Sequence, residues 1–273
     1  MRTLIFILIF IYSTLLNATD IRLDMGAGLF YTGAHGKIEY VEETFQGSYA
    51  NTEIPANGQF YVWGDITTNN PWIPTVRLEY LKISAEGDST AHIASAIPEL
   101  QALIDEYLNN SKFPLNDKAW NSLLQHNVYD INLYYEFFQD SGWPSLGVGL
   151  GYKYFDYIYI MDIAIDGIDL SGVQFGDRDS SGAPMLFLKS RYDATSLQLG
   201  FEGNAKVYLF GDSQMYDWKV KVDWLFDLSE STEGGFEFGY RDQYYKLQGG
   251  DVERVKGDMH YQGVFFGGVL HFN

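Results

Sequence analysis

The chain has 273 residues, no cysteine and 36 acidic against 18 basic side chains, a formal charge of −18. That charge excludes a nucleic-acid surface, whose phosphates would be repelled, and the missing cysteines exclude disulfide staples and thiolate chemistry. Aromatics at 17% together with 28 glycines favour strands, tight turns and membrane-interface belts. Beyond the N-terminus no apolar run reaches the length of a spanning helix, so a membrane form of this chain must be a barrel.

Residues 1–18 read as an export signal: Arg2, an apolar run from Leu4 to Leu16 too short for a comfortable spanning helix, and Ala18 before Thr19, where cleavage is expected. The remaining 19–273 suffice for one large all-β domain. From Thr19 to Tyr31 the chain alternates, with Ile21, Leu23, Met25, Ala27, Leu29 and Tyr31 on one face and Arg22, Asp24, Gly26, Gly28 and Phe30 on the other. Residues 51–58, with Pro55 and Gly58, read as a loop; Phe60, Val62 and Ile66 mark the apolar face of the next strand, and Asn69 to Pro74 a tight turn. Thr75 to Ser84 sets Val76, Leu78 and Tyr80 opposite Arg77 and Glu79.

The pattern breaks from Glu86 to Gln125. Ser95 can cap a helix carrying Ile97, Leu100, Leu103, Ile104, Tyr107 and Leu108, and a second short helix is expected from Asn116 with Trp120, Leu123 and Leu124 on one side. Residues 93–125 therefore read as a helical hairpin inserted in an outer loop, packed on the rim, closing it as a lid or contacting lipopolysaccharide. Alternation resumes from Asn127 to Phe138, with Tyr129, Ile131, Leu133, Tyr135 and Phe137 against Asp130, Asn132 and Glu136. Leu146 to Tyr154 places Gly147, Gly149, Gly151 and Lys153 on the inner face, where the glycines imply little space.

Asp162 to Gly182 reads as an acidic loop; within it Asp177 to Gly182 spaces oxygens as calcium loops do but lacks the distal Glu. Later strands put Lys189 and Arg191, then Glu202, Asn204 and Lys206, then Lys219, Lys221 and Asp223, then Glu237 and Arg241 on the polar face. The last strand, Asp258 to Asn273, carries Val264, Phe266, Leu270 and Phe272 on one side. Its Gly267, Leu270 and Phe272 resemble the insertion signal read by the barrel-assembly machinery, with Asn273 after the aromatic and Phe265 in place of a polar residue as departures.

About ten strands result. A soluble sandwich with one wet face and a membrane barrel with a polar lumen both show such alternation. The export signal, the terminal aromatic, the even strand count and the alternation of short turns with long loops favour the barrel, all-β and antiparallel. The connections near 69–74, 140–145, 193–196 and 227–234 are the short set, expected on the periplasmic side with both termini.

These motifs, in order, resemble the outer-membrane β-barrel proteins with a Gly-Gly feature (OMP_w_GlyGly). The resemblance is carried by Gly26 to Leu29, Asn70 to Tyr80, Asp130 to Glu136, Leu146 to Gly151 with Lys153 to Asp156, Gly239 to Arg241, and Gly263 to Phe272. It implies a fold and an outer-membrane address but no activity, and the stretch between Ile93 and Gln125 departs from it.

The inward set is Arg22, Asp24, Arg77, Glu79, Asp130, Glu136, Lys153, Lys189, Arg191, Glu202, Lys206, Lys219, Lys221, Asp223, Glu237 and Arg241. Its charges nearly balance, so a plugged lumen is expected ahead of a narrow channel in a barrel of this size. A hydrolase would need a histidine near paired carboxylates at the mouth, and His35, His92 and His126 fall at outer-loop positions, with Asp162, Asp166, Asp169, Asp177 and Asp179 the acids that could approach them. No spacing marks a catalytic pair, and no cofactor or metal is implied. The expectation is a non-enzymatic, monomeric membrane protein, structural or binding through acidic loops, with outer-membrane lipid and lipopolysaccharide as its surroundings.

Overall fold

The computed structural model describes residues 21–41, 46–94, 102, 119–138, 142–162, 174–210, 213–247 and 255–272. Ten strands follow in chain order: β1 (Ile21–Val41), β2 (Gln46–Thr68), β3 (Thr75–Ala94), β4 (Ala119–Phe137), β5 (Ser145–Asp162), β6 (Gln174–Ala194), β7 (Leu199–Phe210), β8 (Ser213–Ser229), β9 (Thr232–Leu247) and β10 (Val255–Phe272). Each pairs antiparallel with its sequence neighbours, and β1 closes on β10 through an unbroken ladder from Leu23 opposite Phe272 to Tyr40 opposite Val255. One closed sheet excludes the two-sheet sandwich, and closure removes the two free edge strands of an open sheet, although the β6–β7 ladder spans only Leu186 to Ala194 of β6.

Period-two alternation sets inside from outside. On β4 the outward Tyr129, Leu133, Tyr135 and Phe137 are exposed while Asp130, Asn132 and Tyr134 are buried; β8 repeats this with Trp218, Val220, Val222 and Trp224 against Asp217, Lys219, Lys221 and Asp223. The outward rows form a belt. The rings of Tyr80, Tyr129 and Tyr154 pack in sequence at 5.1 and 6.1 Å, and those of Tyr216 and Tyr244 at 5.4 Å, along its edge toward the long loops. Trp72, Phe137, Phe138 and Trp143 stand exposed at the short-turn edge. Along β4 the two edges, Tyr129 and Phe137, are separated by about 27 Å of strand, or roughly 20 Å along the barrel axis at a tilt of ~40°. That matches the apolar band of a barrel in a bilayer, and a continuous belt of this kind has no place on a water-soluble monomer.

Several expectations give way at the long-loop end, because the strands run further than their apolar alternation does. The helical hairpin at 93–125 is not supported: β3 continues to Ala94 and β4 begins at Ala119, with Asn121 opposite Asp162 and Ser84 opposite Gln125, so Trp120, Leu123 and Leu124 belong to a strand. The rest of that reading, 95–101 and 103–118, lies outside the described residues, as do the signal at 1–18, Asp166 and Asp169. Asp177 to Gly182, read as a calcium-like loop, lies within β6 opposite Tyr154 to Tyr159. Residues 51–58 are part of β2; Pro55 falls in a register shift between Thr32 opposite Asn57 and Ala34 opposite Ile54, where an absent N–H costs no ladder bond. Ladder hydrogen bonds to a neighbouring strand hold the backbone extended whatever the side chains are, and past the belt no lipid demands an apolar face.

Candidate functional site

Among the described residues the interior concentrates most of the charged side chains, and it has two tiers. In the lower tier, toward the short turns, Arg77 of β3 reaches Asp65 at 2.9 Å, Glu79 at 2.7 Å and Glu202 at 3.1 Å. Lys189 meets Asp65 at 3.0 Å and the Tyr134 hydroxyl at 2.9 Å. Lys206 joins Glu79 and Asp130, at 2.9 and 3.0 Å, across strands far apart in sequence, and Lys219 reaches Glu79 at 3.0 Å. Lys153 bridges Asp130 and Asp217, at 2.8 and 2.7 Å, while Arg241 holds Asp217 at 2.6 Å. Lys221 binds Glu237 at 2.9 Å and Asp223 at 3.1 Å, and Tyr61 and Trp63 donate to the same Glu237 at 2.6 and 3.0 Å. The Trp63 ring also lies under Lys221 and Arg77, at 4.1 and 4.8 Å from its centroid.

Such a tier is stable only because each charge meets at least one opposite one and most meet two or more; a lone buried ion would carry a desolvation cost of several kcal/mol. The glycine row on β5 makes room for it. A Cβ at Gly149 would stand 2.1 Å from the Leu133 carbonyl oxygen and one at Gly147 2.8 Å from the Tyr134 ring, so Tyr134 packs directly against this wall.

Above the charges lies a tier that the sequence reading left polar. Leu81 and Ile83 of β3, Val128 of β4, Phe155 of β5, Met185 of β6, Met215 of β8, Tyr245 of β9, and Met259 and Tyr261 of β10 form one buried cluster. His126 sits in it, its ring 5.3 Å from that of Phe155 and 5.7 Å from that of Tyr245. His126 is therefore an interior residue and not the outer-loop residue expected. Both tiers are buried: Arg77, Lys153, Asp223 and Phe155 are 0% exposed, and Glu79, His126 and Met259 no more than 7%.

Below the charges a cavity of about 550 Å³ opens at the short-turn end. Arg22, Asp24, Glu136, Lys189, Arg191 and Asp193 line it, and Phe138, Trp143 and Tyr192 stand at its rim. Arg191 closes its floor against Asp223 at 2.9 Å and Asp193 at 2.8 Å. Asp24 pairs with His271 at 2.8 Å across the β1–β10 seam.

Arg77, Glu79, Asp130, Lys153, Lys189, Arg191, Glu202, Lys206, Lys219, Lys221, Asp223, Glu237 and Arg241 are buried in the network, whereas Arg22 and Glu136 belong to the cavity below it. Asp65, Asp217, Gln243 and His271 are also buried in the polar interior and were missed, although each alternates with outward neighbours such as Ile66, Trp218 and Phe272. Gly267, Leu270 and Phe272 lie on β10 opposite Gly28, Met25 and Leu23. Among the described residues no group of three or more His, Asp or Glu is placed to hold a metal ion.

No protein-family model matches the chain, and no curated protein matches it in sequence. Among solved structures it resembles the outer membrane protease OmpT from Escherichia coli, with a TM-score of 0.52 and 11% identity over 94% of this chain and 97% of that one. A Pseudomonas aeruginosa FadL homologue matches with TM-score 0.33 at 9% identity over 93% and 90%. The transport unit of the Escherichia coli autotransporter AIDA-I matches with 0.34 at 8% over 94% and 90%. At such identities the likeness speaks of fold alone: this chain has the closed antiparallel barrel fold found in an outer-membrane protein.

Proposed function

We propose that the chain is an integral outer-membrane protein, exported by its first 18 residues and related to the Gly-Gly barrels it resembles. Its barrel is a sealed, non-enzymatic scaffold that holds acidic loops at the cell surface for a structural or binding role. Outer-membrane lipid and lipopolysaccharide surround it, and the barrel-assembly machinery inserts it through Gly267, Leu270 and Phe272. The observation that carries the reading is the filled interior, in which a charged tier and an apolar tier lie stacked and buried. Ions entering either end meet desolvated, mutually neutralised side chains or a hydrocarbon layer, and neither conducts.

Single-channel recording in planar bilayers tests this. The sealed barrel gives no conductance steps above the bare bilayer; regular steps from the purified protein would establish the narrow channel in its place. A hydrolytic activity lost on substituting His35, His92 or His126 would instead make it an enzyme.

A further inference from the structure

Just past the tyrosine row on the outer wall, two histidines oppose each other across the closing seam. His35 of β1 and His260 of β10 are direct partners in a ladder without a register shift on that side, although β1 shifts against β2 next to them. Both point outward: their neighbours Ala34 and Tyr261 are buried, while His35 is exposed and the His260 side chain retains 33% exposure. Directly opposed residues hold their Cβ atoms about 4.5–5.5 Å apart. From there two imidazoles can converge on one ion at roughly 2.0–2.1 Å.

His260 is already oriented for this. Its Nε2 lies 2.7 Å from Asp242 Oδ1, and the Tyr244 ring packs on it edge-on at 6.3 Å. A proton on Nε2 donated to that carboxylate leaves Nδ1 with its lone pair, the arrangement in which a carboxylate fixes the tautomer of a metal-binding histidine. His35 makes no hydrogen bond or ion pair among the described residues, so no contact has to break for its ring to turn toward the shared point.

We propose that His35 and His260 form a transition-metal site of the copper(II), nickel(II) and zinc(II) class, bridging β1 and β10. Asp242 is a positioning residue that touches His260 and not the ion, so the protein supplies two ligands and solvent the others. Imidazole donors favour these ions over magnesium and calcium. The ion ties the long-loop end of the seam, as Asp24 and His271 tie the other end at 2.8 Å.

The test is calorimetric titration of the full chain, purified from membranes and folded in detergent, with copper(II), nickel(II), zinc(II) and magnesium(II) chlorides. The expected result is binding to the first three, tightest for copper(II), and none to magnesium. His35→Ala and His260→Ala should each weaken it by at least roughly tenfold, and Asp242→Ala by ~10- to 100-fold. Gel mobility of unboiled samples checks that each variant remains a folded barrel. Absence of binding by the unaltered protein, unchanged affinity in the double histidine variant, or magnesium binding as tight as nickel would each overturn the proposal.

Discussion

Arg77 shows what a single interior residue does here. It is fully buried and touches Asp65, Glu79 and Glu202, so its removal leaves three carboxylates short of a cation in a space closed to water. Breaking such a pair costs about 3–5 kcal/mol, whereas removing both partners costs far less. Arg77→Met is therefore expected to lower the urea midpoint of the folded barrel strongly, and Asp65→Asn added to it should recover part of the loss, a coupling measurable in a double-mutant cycle. The sequence made the presence of these charges inside legible, because a mid-strand Arg, Lys, Asp or Glu cannot face lipid. It did not make their partners legible: Lys206 and Glu79 meet across the lumen at 2.9 Å although 127 positions separate them. Nor did it reveal the apolar tier, since an inward Leu81 or Phe155 reads the same as an outward one until closure fixes which face is which.

At the scale of an element, β5 is built around its glycines. Gly147 is confined by the Tyr134 side chain and Gly149 by the backbone of β4. Either alanine substitution should destabilise by about 1–3 kcal/mol through overpacking. Truncation by Tyr134→Ala is expected to relieve Gly147→Ala but not Gly149→Ala, a contrast that unfolding midpoints of the single and double variants will show. The strand alternation from Asn127 to Phe138 and from Leu146 to Tyr154 was readable because lipid on one side and charges on the other impose period two. Where β3 runs on through Gly87, Asp88, Ser89 and Thr90, both sides are polar and the period vanishes, although Ser89 still lies opposite Trp120 in the ladder. Leucines at 123 and 124 then mimic helical spacing inside a strand. Pairing with β3 and β5 overrides that local signal, as tertiary context does for weak propensities.

For the whole molecule, ten strands, short turns at one end and an aromatic-edged belt follow from one requirement, that every backbone polar group be satisfied where no water reaches. Closure satisfies the backbone, and the charge network with its apolar lid fills what closure encloses. The chain should therefore resist unfolding as a unit. Electrophoresis of detergent-extracted outer membranes, boiled and unboiled samples side by side, tests this most directly. The account predicts that the protein fractionates with the outer membrane and that its unboiled form runs faster than the boiled one, as a compact barrel does. A single unshifted band from a protein found soluble in the periplasm would contradict it.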